Sequence, residues 1–334
     1  MGGQQSCLPF DGAFPESQKF ISFSNLGNSC YMNSVLQAIL NSKYFILFFE
    51  NLHTTLKNID LSDEDKDSLL YNLLCIYRMR KSQKEQTHVI SPKLFHENLI
   101  KAGIGFTRGR QSDAHELYVA LLDNFDNQIN KFNSTYKLNI PLFSSLSHAR
   151  SESCSQCLCC GAESNSSESF VTFFLGIKNK TSLTDRLRAL QSPEYLSGAG
   201  KRECTICKIS QEKRVMTTYP EIPNVLVFQI QRFEYDKVNQ QLKKLKNVIP
   251  FPSSLVFCDR HYKLSSVIVH IGESLESGHF VALLRVDEKW VLANDANLIL
   301  MSEVEVEEYF TRGKVPGQSF TSAYLLFYDF IENE

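Results

Sequence analysis

The sequence predicts an α+β protein in which helices come first and strands come last. Apolar residues recur at helical spacing through much of the first 130 residues, for example at Leu69, Leu73 and Tyr77. After Tyr219, short runs rich in valine, isoleucine and aromatic residues follow one another between turn residues. Between these regions, residues 140–225 are rich in serine and cysteine and contain short strand-like runs. We therefore expect a helical part, a cysteine-bearing part and a β-sheet, in this order.

Composition indicates a globular protein of a reducing compartment. Its 334 residues, 43% of them hydrophobic, can form one large domain or two with a sizeable core. The formal net charge of -2 shows no excess of basic residues that would attract nucleic acid, so no nucleic-acid partner is expected. No apolar run reaches the roughly 18 residues that a membrane span needs, and no secretory signal is recognised. The ten cysteines are therefore interpreted as metal ligands or catalytic groups rather than disulfides.

The first 19 residues lack periodicity and contain several glycines and prolines, which predicts a flexible tail. Gly2 and Ser6 fit the N-myristoylation pattern, and Cys7 directly after them is a candidate for a second acyl chain. The alternative is a chance match, because the pattern is loose. We expect a protein of the cytoplasm or the nucleus, with membrane association only through such a lipid.

A cysteine stands at the predicted start of the first long helix. The polar residues 25–29 precede Cys30, and an apolar run at helical spacing, including Val35 and Ile39, follows it. Free backbone N–H groups and the positive end of the helix dipole favour a thiolate there, which is the nucleophilic form. The amide of Asn25, five positions earlier, could help to hold an oxyanion. The alternative is that Cys30 is a buried structural cysteine of a core helix.

A cysteine nucleophile needs a base, and the base needs a group that orients it. Among the eight histidines, His279 is the best candidate, because a glycine turn leads it into a predicted strand. Asn294 and Asp295 end the next predicted strand, and an antiparallel hairpin can bring them level with His279. The order Cys, His, then Asn or Asp is that of papain-like proteases. His270 competes for the role of base, and a partly buried sheet histidine is the alternative for His279.

The middle of the chain has two Cys-x-x-Cys pairs, formed by Cys157 with Cys160 and by Cys204 with Cys207. Four thiolates are a typical ligand set of tetrahedral structural zinc. The neighbouring Cys154 and Cys159 leave the choice of ligands at the first pair open. Unpaired buried thiols are the alternative to a metal site.

A further polar stretch precedes a predicted helix on which Leu117, Leu121 and Leu122 share one face. Asp113 is predicted to cap this helix, with Glu116 completing a capping box three residues later. Capping alone would account for both acidic residues.

Together, these stretches resemble the sequence boxes of the ubiquitin-specific proteases. Residues 25–37 look like the cysteine box, residues 110–117 like the second box, and residues 270–272, 278–280 and 290–295 like the histidine box. Residues 226–233, 249–252 and 323–328 are similar to further landmarks of the family. The compact layout and residues 14–17 look most like the small subfamily whose animal members work with WD-repeat activators. A WD-repeat activator is therefore an expected partner, besides ubiquitin and ubiquitinated proteins.

The resemblance implies a papain-like cysteine protease fold in residues 20–334, preceded by the tail of residues 1–19. A helical thumb would occupy about residues 20–130, zinc-ribbon fingers about 140–225 and a β-sheet palm about 226–334. It implies a thiol-dependent deubiquitinase that hydrolyses the bond at the C-terminal glycine of ubiquitin. Cys30 would be the nucleophile, His279 the general base and Asn294 the orienting residue. Asn25 would donate to the oxyanion, and Asp295 would lie beside the triad.

The resemblance also implies a channel for the ubiquitin tail, lined by Asp113 and Glu116, with Phe280 contacting the substrate. Structural Zn2+ in the fingers is the expected cofactor. Five positions depart from the usual residues of the family without removing a catalytic group: Ser29, Ser112, Leu117, Phe280 and Ala293. The alternatives are a catalytically weak ubiquitin-binding scaffold, a protease for another ubiquitin-like modifier and a zinc-ribbon interaction protein.

Overall fold

The computed structural model describes residues 18–104, 112–177, 182–236, 240–245, 249–272, 278–306 and 321–332. The predicted tail with Gly2 and Cys7, and residues 110 and 111 of the second box, lie outside the described residues. Within the described ranges, no helix is both long enough and apolar enough to cross a membrane.

Helices make up most of the first part of the chain, as predicted. They are α1 (Cys30–Asn41), α2 (Lys43–Leu56), α3 (Asp63–Lys66), α4 (Leu69–Ser82), α5 (Lys93–Lys101) and α6 (Ala114–Tyr136), and α7 (Leu183–Leu190) follows later. Apolar side chains at helical spacing, such as Leu73 and Leu121, are buried in one common core. Two strands that the sequence analysis did not predict, β1 (Phe20–Phe23) and β2 (Thr87–Ile90), pair in parallel.

An eight-stranded sheet forms most of the last part of the chain. Its strands are β5 (Phe173–Gly176), β10 (Val225–Gln231), β13 (Ser254–Phe257), β14 (Arg260–Ile271), β15 (His279–Val286), β16 (Lys289–Asn294), β17 (Asn297–Met301) and β18 (Thr321–Phe330). The order is β17-β16-β15-β14-β18-β10-β5, and β13 pairs with β14. The pair β10 and β5 is parallel, and the other pairs are antiparallel. Strands β10, β14, β15, β16 and β18 overlap the five strands predicted from the sequence.

A separate four-stranded sheet carries Cys157 at the end of one strand, and Cys160 lies in the turn that follows this strand. In spatial order its strands are β4 (Glu163–Phe170), β3 (Ala149–Cys157), β9 (Lys213–Glu221) and β6 (Glu194–Leu196). Two small hairpins consist of β7 (Arg202–Glu203) with β8 (Ser210–Gln211) and of β11 (Phe233–Asp236) with β12 (Gln241–Lys244). Short 3₁₀ helices lie at Phe143–Leu146 and Gly198–Gly200.

The segment expected to form the fingers does not stay in one sheet. Between β4 and β6, strand β5 pairs with β10 at the edge of the eight-stranded sheet. Phe173 and Leu175 on β5 are buried in the apolar core on this sheet, as is Leu183 of α7. Burial of these side chains explains why this stretch leaves the fingers, which the serine-rich composition of residues 140–225 did not reveal.

Helix α1 is buried along its whole length and packs against the eight-stranded sheet. Its polar residues Asn33, Gln37 and Asn41 recur every four positions and therefore lie on one face. Gln37 Nε2 donates to a backbone oxygen of β1 at 2.6 Å, and Asn41 Nδ2 donates to backbone oxygens of β14 and β15 at 2.9 and 3.0 Å. The hydrogen bonds of Gln37 and Asn41 hold α1, and with it Cys30, in one orientation on the sheet.

Candidate active site

Three side chains from distant parts of the chain meet where α1 begins. Cys30 is the first residue of α1 and is 3% exposed. His279 is the first residue of β15, and Asn294 is the last residue of β16, its antiparallel neighbour. His279 Nε2 lies 2.7 Å from Asn294 Oδ1. The structure thus brings together the residues that the sequence predicted as nucleophile, base and orienting group.

The hydrogen bond between His279 and Cys30 is the main cause that raises the pKa of His279 to about 9. The hydrogen bond with Asn294 and the negative charge of Asp295 act in the same direction, while burial opposes them. Because Nε2 faces Asn294, Nδ1 is the ring nitrogen left for the sulfur. At neutral pH the ring therefore carries a proton, and an imidazolium is the neighbour that stabilises a thiolate.

The structure distinguishes Asn294 from Asp295, which the sequence left together. Asp295 Oδ2 lies 3.9 Å from His279 Nε2, beyond hydrogen-bonding distance. Its carboxylate instead accepts hydrogen bonds from Asn25 Nδ2 at 2.8 Å and from Asn33 Nδ2 at 2.7 Å. Asn294 thus contacts the imidazole, and Asp295 contacts the amides around the nucleophile.

Asn25 is held in place through both ends of its amide. Its Oδ1 accepts from the backbone N–H groups of Gly27 at 2.9 Å and Ser29 at 3.4 Å, while Nδ2 donates to Asp295. An amide nitrogen has two hydrogens, and no acceptor for the second one is found in the described part of the chain. This second N–H is available for an oxyanion.

Asn33 is a site residue that the sequence analysis missed. It follows Cys30 by three positions on α1, so the two side chains share a helix face. Spacing from the nucleophile could have indicated it, but its partner Asp295 is 262 positions away in sequence.

His270, the competing candidate for the base, has Lys244 as its hydrogen-bonding partner. It is 1% exposed, and its Nδ1 lies 3.0 Å from Lys244 Nζ. The structure therefore favours His279 over His270 as the base.

The predicted cap of α6 is present. Asp113 Oδ1 accepts from the backbone N–H groups of His115 at 2.7 Å and Glu116 at 3.1 Å. Asp113 Oδ2 accepts from the hydroxyl of Tyr324, which in turn accepts from Gln229 Nε2 at 2.7 Å. Asp113 and the exposed Glu116 both line a cavity of about 700 Å³. The Asp113 carboxylate is thus engaged within the protein, whereas Glu116 faces the solvent.

The expectation that Phe280 contacts the substrate is not supported by its position. Phe280 is 3% exposed, and its ring lies 4.9 Å from that of His270 and 5.9 Å from that of Tyr324. Successive residues of a strand point to opposite faces, so Phe280 points into the core when His279 points to the active site. Phe280 thus belongs to the hydrophobic core of this structure, and its contact with the substrate stays a prediction.

The four cysteines of the two Cys-x-x-Cys pairs lie together, with their sulfur atoms all within 4.8 Å of one another. The sulfur atoms of Cys160 and Cys204 are 3.5 Å apart. A tetrahedral zinc site with Zn–S bonds of about 2.3 Å places its sulfurs about 3.8 Å apart. The cluster can therefore hold a metal ion, and it consists of Cys157 and Cys160 rather than Cys154 or Cys159 at the first pair.

Known sequences are similar to this chain along most of its length. The sequence profile of the family described as "Ubiquitin carboxyl-terminal hydrolase" matches residues 21–328. The chain is 28% identical to ubiquitin carboxyl-terminal hydrolase 4 of Arabidopsis thaliana, over 95% of this chain and 94% of the relative. It is 26% identical to ubiquitin carboxyl-terminal hydrolase 12 of Salmo salar, over 94% of this chain and 91% of the relative.

Solved structures show the same fold. The Ubp8 complex with Sgf11, Sus1 and Sgf73 bound to ubiquitin aldehyde matches with a TM-score of 0.74 and 22% identity, covering 94% of this chain and 70% of the other. The complex bound to monoubiquitin matches with a TM-score of 0.76 and 21% identity, covering 99% and 72%. These matches confirm the predicted α+β, papain-like fold. The chain belongs to the ubiquitin carboxyl-terminal hydrolase family, and it is a cysteine-type ubiquitinyl hydrolase.

Proposed function

We propose that this protein hydrolyses the isopeptide or peptide bond at the C-terminal glycine of ubiquitin, with Cys30, His279 and Asn294 as its catalytic residues. The observation that carries the proposal is the position of His279, which is hydrogen-bonded to Cys30 and lies 2.7 Å from Asn294 Oδ1. Membership of the family supports ubiquitin as the substrate, and the structurally similar Ubp8 has been solved with ubiquitin bound.

In the proposed reaction, the Cys30 thiolate attacks the carbonyl carbon of the scissile bond, whose oxygen becomes an oxyanion. The His279 imidazolium gives its proton to the leaving amine as the C–N bond breaks, which leaves a thioester on Cys30. Neutral His279 then takes a proton from water, and the resulting hydroxide attacks the thioester. The C–S bond breaks, which restores the thiolate and releases the carboxylic acid, and the acid loses its proton to the solvent. Asn294 keeps the imidazole ring oriented through both steps.

We propose Asn25 as the donor to the oxyanion and Asp295 as the residue that orients the Asn25 amide. The Asp295 carboxylate takes one N–H of the Asn25 amide, which leaves the other N–H for the developing negative charge. Asn33 holds the second oxygen of the same carboxylate, so Asp295 is fixed to α1 close to the nucleophile.

The cavity lined by Asp113 and Glu116 is the proposed path of the ubiquitin tail. Glu116 is exposed there and supplies a negative charge for a basic tail residue. Asp113 stabilises this side of the cavity, because its carboxylate caps α6 and accepts a hydrogen bond from the hydroxyl of Tyr324. Thumb, fingers and palm are the proposed names for the helical part, the four-stranded sheet and the eight-stranded sheet.

Zinc is the proposed metal of the four-cysteine cluster. Its four thiolates would fill a tetrahedral shell and leave no open position, so the metal would stabilise the fingers and take no part in hydrolysis.

Three further expectations rest on the sequence alone. They are a WD-repeat activator, acylation at Gly2 and Cys7, and residence in the cytoplasm or the nucleus. The partners of Ubp8 in its solved structures are Sgf11, Sus1 and Sgf73.

A ubiquitin probe with a C-terminal electrophile tests the proposed function. It should label the wild-type protein at Cys30, and Cys30→Ala should abolish both labelling and hydrolysis of a ubiquitin C-terminal amide. Cys75→Ala, which removes a half-buried cysteine of α4, is the control and should label normally. Labelling that persists in Cys30→Ala would exclude Cys30 as the nucleophile.

A further inference from the structure

A second buried histidine lies next to the proposed base and has no role in the proposed mechanism. His270 pairs across strands with Phe280, the residue after His279. The two rings pack with centroids 4.9 Å apart, so His270 lies on the sheet face opposite to that of His279. Only 1% of its surface is exposed. Burying an imidazole so completely is unfavourable unless its polar atoms are paired.

Lys244 at the end of β12 pairs with this histidine. Its side chain is 6% exposed, and Nζ lies 3.0 Å from His270 Nδ1. Nζ also donates to the backbone oxygens of Gly272 at 2.6 Å and His270 at 3.3 Å. An ammonium group can only donate, so Nδ1 accepts and the ring carries its proton on Nε2. Burial lowers the pKa of His270 to about 3, with the charges of Lys244 and His279 acting in the same direction, so the ring is neutral.

The Nε2 edge of the His270 ring contacts the residue that precedes the base. A Cβ atom added to Gly278 would lie 2.4 Å from His270 Nε2 and 2.5 Å from the backbone oxygen of Ile271. Both distances are far shorter than any van der Waals contact. The backbone at Gly278 therefore rests directly on the ring and on β14. Since His279 follows immediately, this contact sets the position from which the chain enters β15.

We infer that Lys244 and His270 are positioning residues for the catalytic base. Lys244 holds the His270 ring, the ring supports Gly278, and this support places the His279 imidazole against its partners in the active site. The inference rests on the proposed function, because it requires His279 to be the base. A misplacement of about 1 Å can cost about 100-fold in rate, so the expected loss is in the chemical step rather than in substrate binding.

Lys244→Met is the first test, because it keeps an unbranched apolar side chain and removes the ammonium group. With a fluorogenic ubiquitin C-terminal amide as substrate, kcat should fall by at least about tenfold, while KM changes by less than about threefold. Lys263→Met is the matched control, since Lys263 is partly exposed and pairs with Glu288 at 3.1 Å on the surface. Its kcat should stay within about twofold of the wild-type value.

A second pair of variants separates positioning from a general loss of stability. His270→Phe keeps a ring that can support Gly278, whereas His270→Ala removes the support. Both remove the imidazole, so a larger loss of kcat in the alanine variant supports positioning.

The pH dependence of Cys30 alkylation by iodoacetamide gives a readout without ubiquitin. Thermal unfolding identifies variants that fail to fold. In folded variants with a displaced base, alkylation at neutral pH should slow, because the imidazolium no longer stabilises the thiolate.

A folded Lys244→Met protein with a wild-type kcat overturns the inference, and so do equal losses of kcat in His270→Phe and His270→Ala. If Lys244→Met does not fold, the two His270 variants decide the question. His279→Ala distinguishes this inference from the proposed function. Full turnover in His279→Ala contradicts the proposed base itself, whereas an inactive His279→Ala beside a fully active Lys244→Met contradicts only the positioning role.

Discussion

Two regions of this protein use cysteine in different ways, and their comparison shows what a local sequence motif can specify. In the cysteine cluster, two Cys-x-x-Cys pairs bring four sulfur atoms to within 4.8 Å of one another. In the active site, Cys30 stands alone at a helix start, and its partner His279 comes from a strand that begins 249 residues later, 279 minus 30. Thiolates that face other thiolates can hold a metal ion, whereas a thiolate that faces an imidazolium can act as a nucleophile.

The strongest test of this comparison removes the imidazole. His279→Ala should lower kcat by about 100-fold or more, because the general acid and base is lost and the thiolate loses its counterion. Steady-state hydrolysis of a ubiquitin C-terminal amide measures this effect. His261→Ala, on β14 and exposed to solvent, is the matched control and should keep its turnover. A His279→Ala enzyme with wild-type turnover would show that Cys30 is activated by another group.

The neighbouring residues Asn294 and Asp295 give a finer test of the active site. Asn294→Ala should lower kcat by about tenfold and shift the pH dependence of activity, since it contacts the imidazole directly. Asp295→Ala should lower kcat by a comparable factor but shift that pH dependence less, because its charge is the smallest of the causes that raise the pKa of His279 and its carboxylate contacts Asn25 and Asn33 instead. The reverse pattern of pH profiles would contradict the assigned roles.

The pH dependence itself should report His279. Its pKa is raised from 6.5 to about 9, so the ring is protonated below that pH and loses its proton as the pH rises through it. The value of kcat/KM should therefore fall above about pH 9, when the imidazolium that protonates the leaving amine disappears. The same raised pKa stabilises the folded state fully below about pH 6.5, and this contribution is lost as the pH rises through about 9. Rates and thermal unfolding measured from pH 6 to 10 check both statements, and His279→Ala should lack both transitions.

The smallest effect on the chemistry is expected from the cysteine cluster. Cys204→Ser should remove the metal, loosen the fingers and raise KM for ubiquitin substrates several-fold, while alkylation of Cys30 keeps its wild-type rate. Elemental analysis should find about one equivalent of zinc in the wild-type protein. Cys159→Ser, a control for an exposed cysteine outside the cluster, should keep the metal and the activity. Metal-free wild-type protein that is well folded would contradict the zinc assignment.

Much of the fold and of the site could be predicted because the signals are local. Helical spacing after Cys30 predicted α1, and apolar β-branched runs predicted the five main strands of the large sheet. The two Cys-x-x-Cys pairs predicted the cluster, although the extra Cys154 and Cys159 left the first pair ambiguous until the structure excluded them. The composition of residues 140–225 did not predict β5, because a short buried strand inside a serine-rich stretch has little influence on average composition.

The sequence by itself determined which residues can do chemistry and where the elements that carry them begin, since periodicity and turn residues act over a few positions. Only the tertiary structure decided that Asn294 rather than Asp295 contacts His279, that Phe280 is buried, and that Asn33 and Lys244 belong to the surroundings of the site. The physical reason is strand register. A shift of one residue moves each side chain to the other face of a sheet, and register is set by pairing between segments that are far apart in the chain.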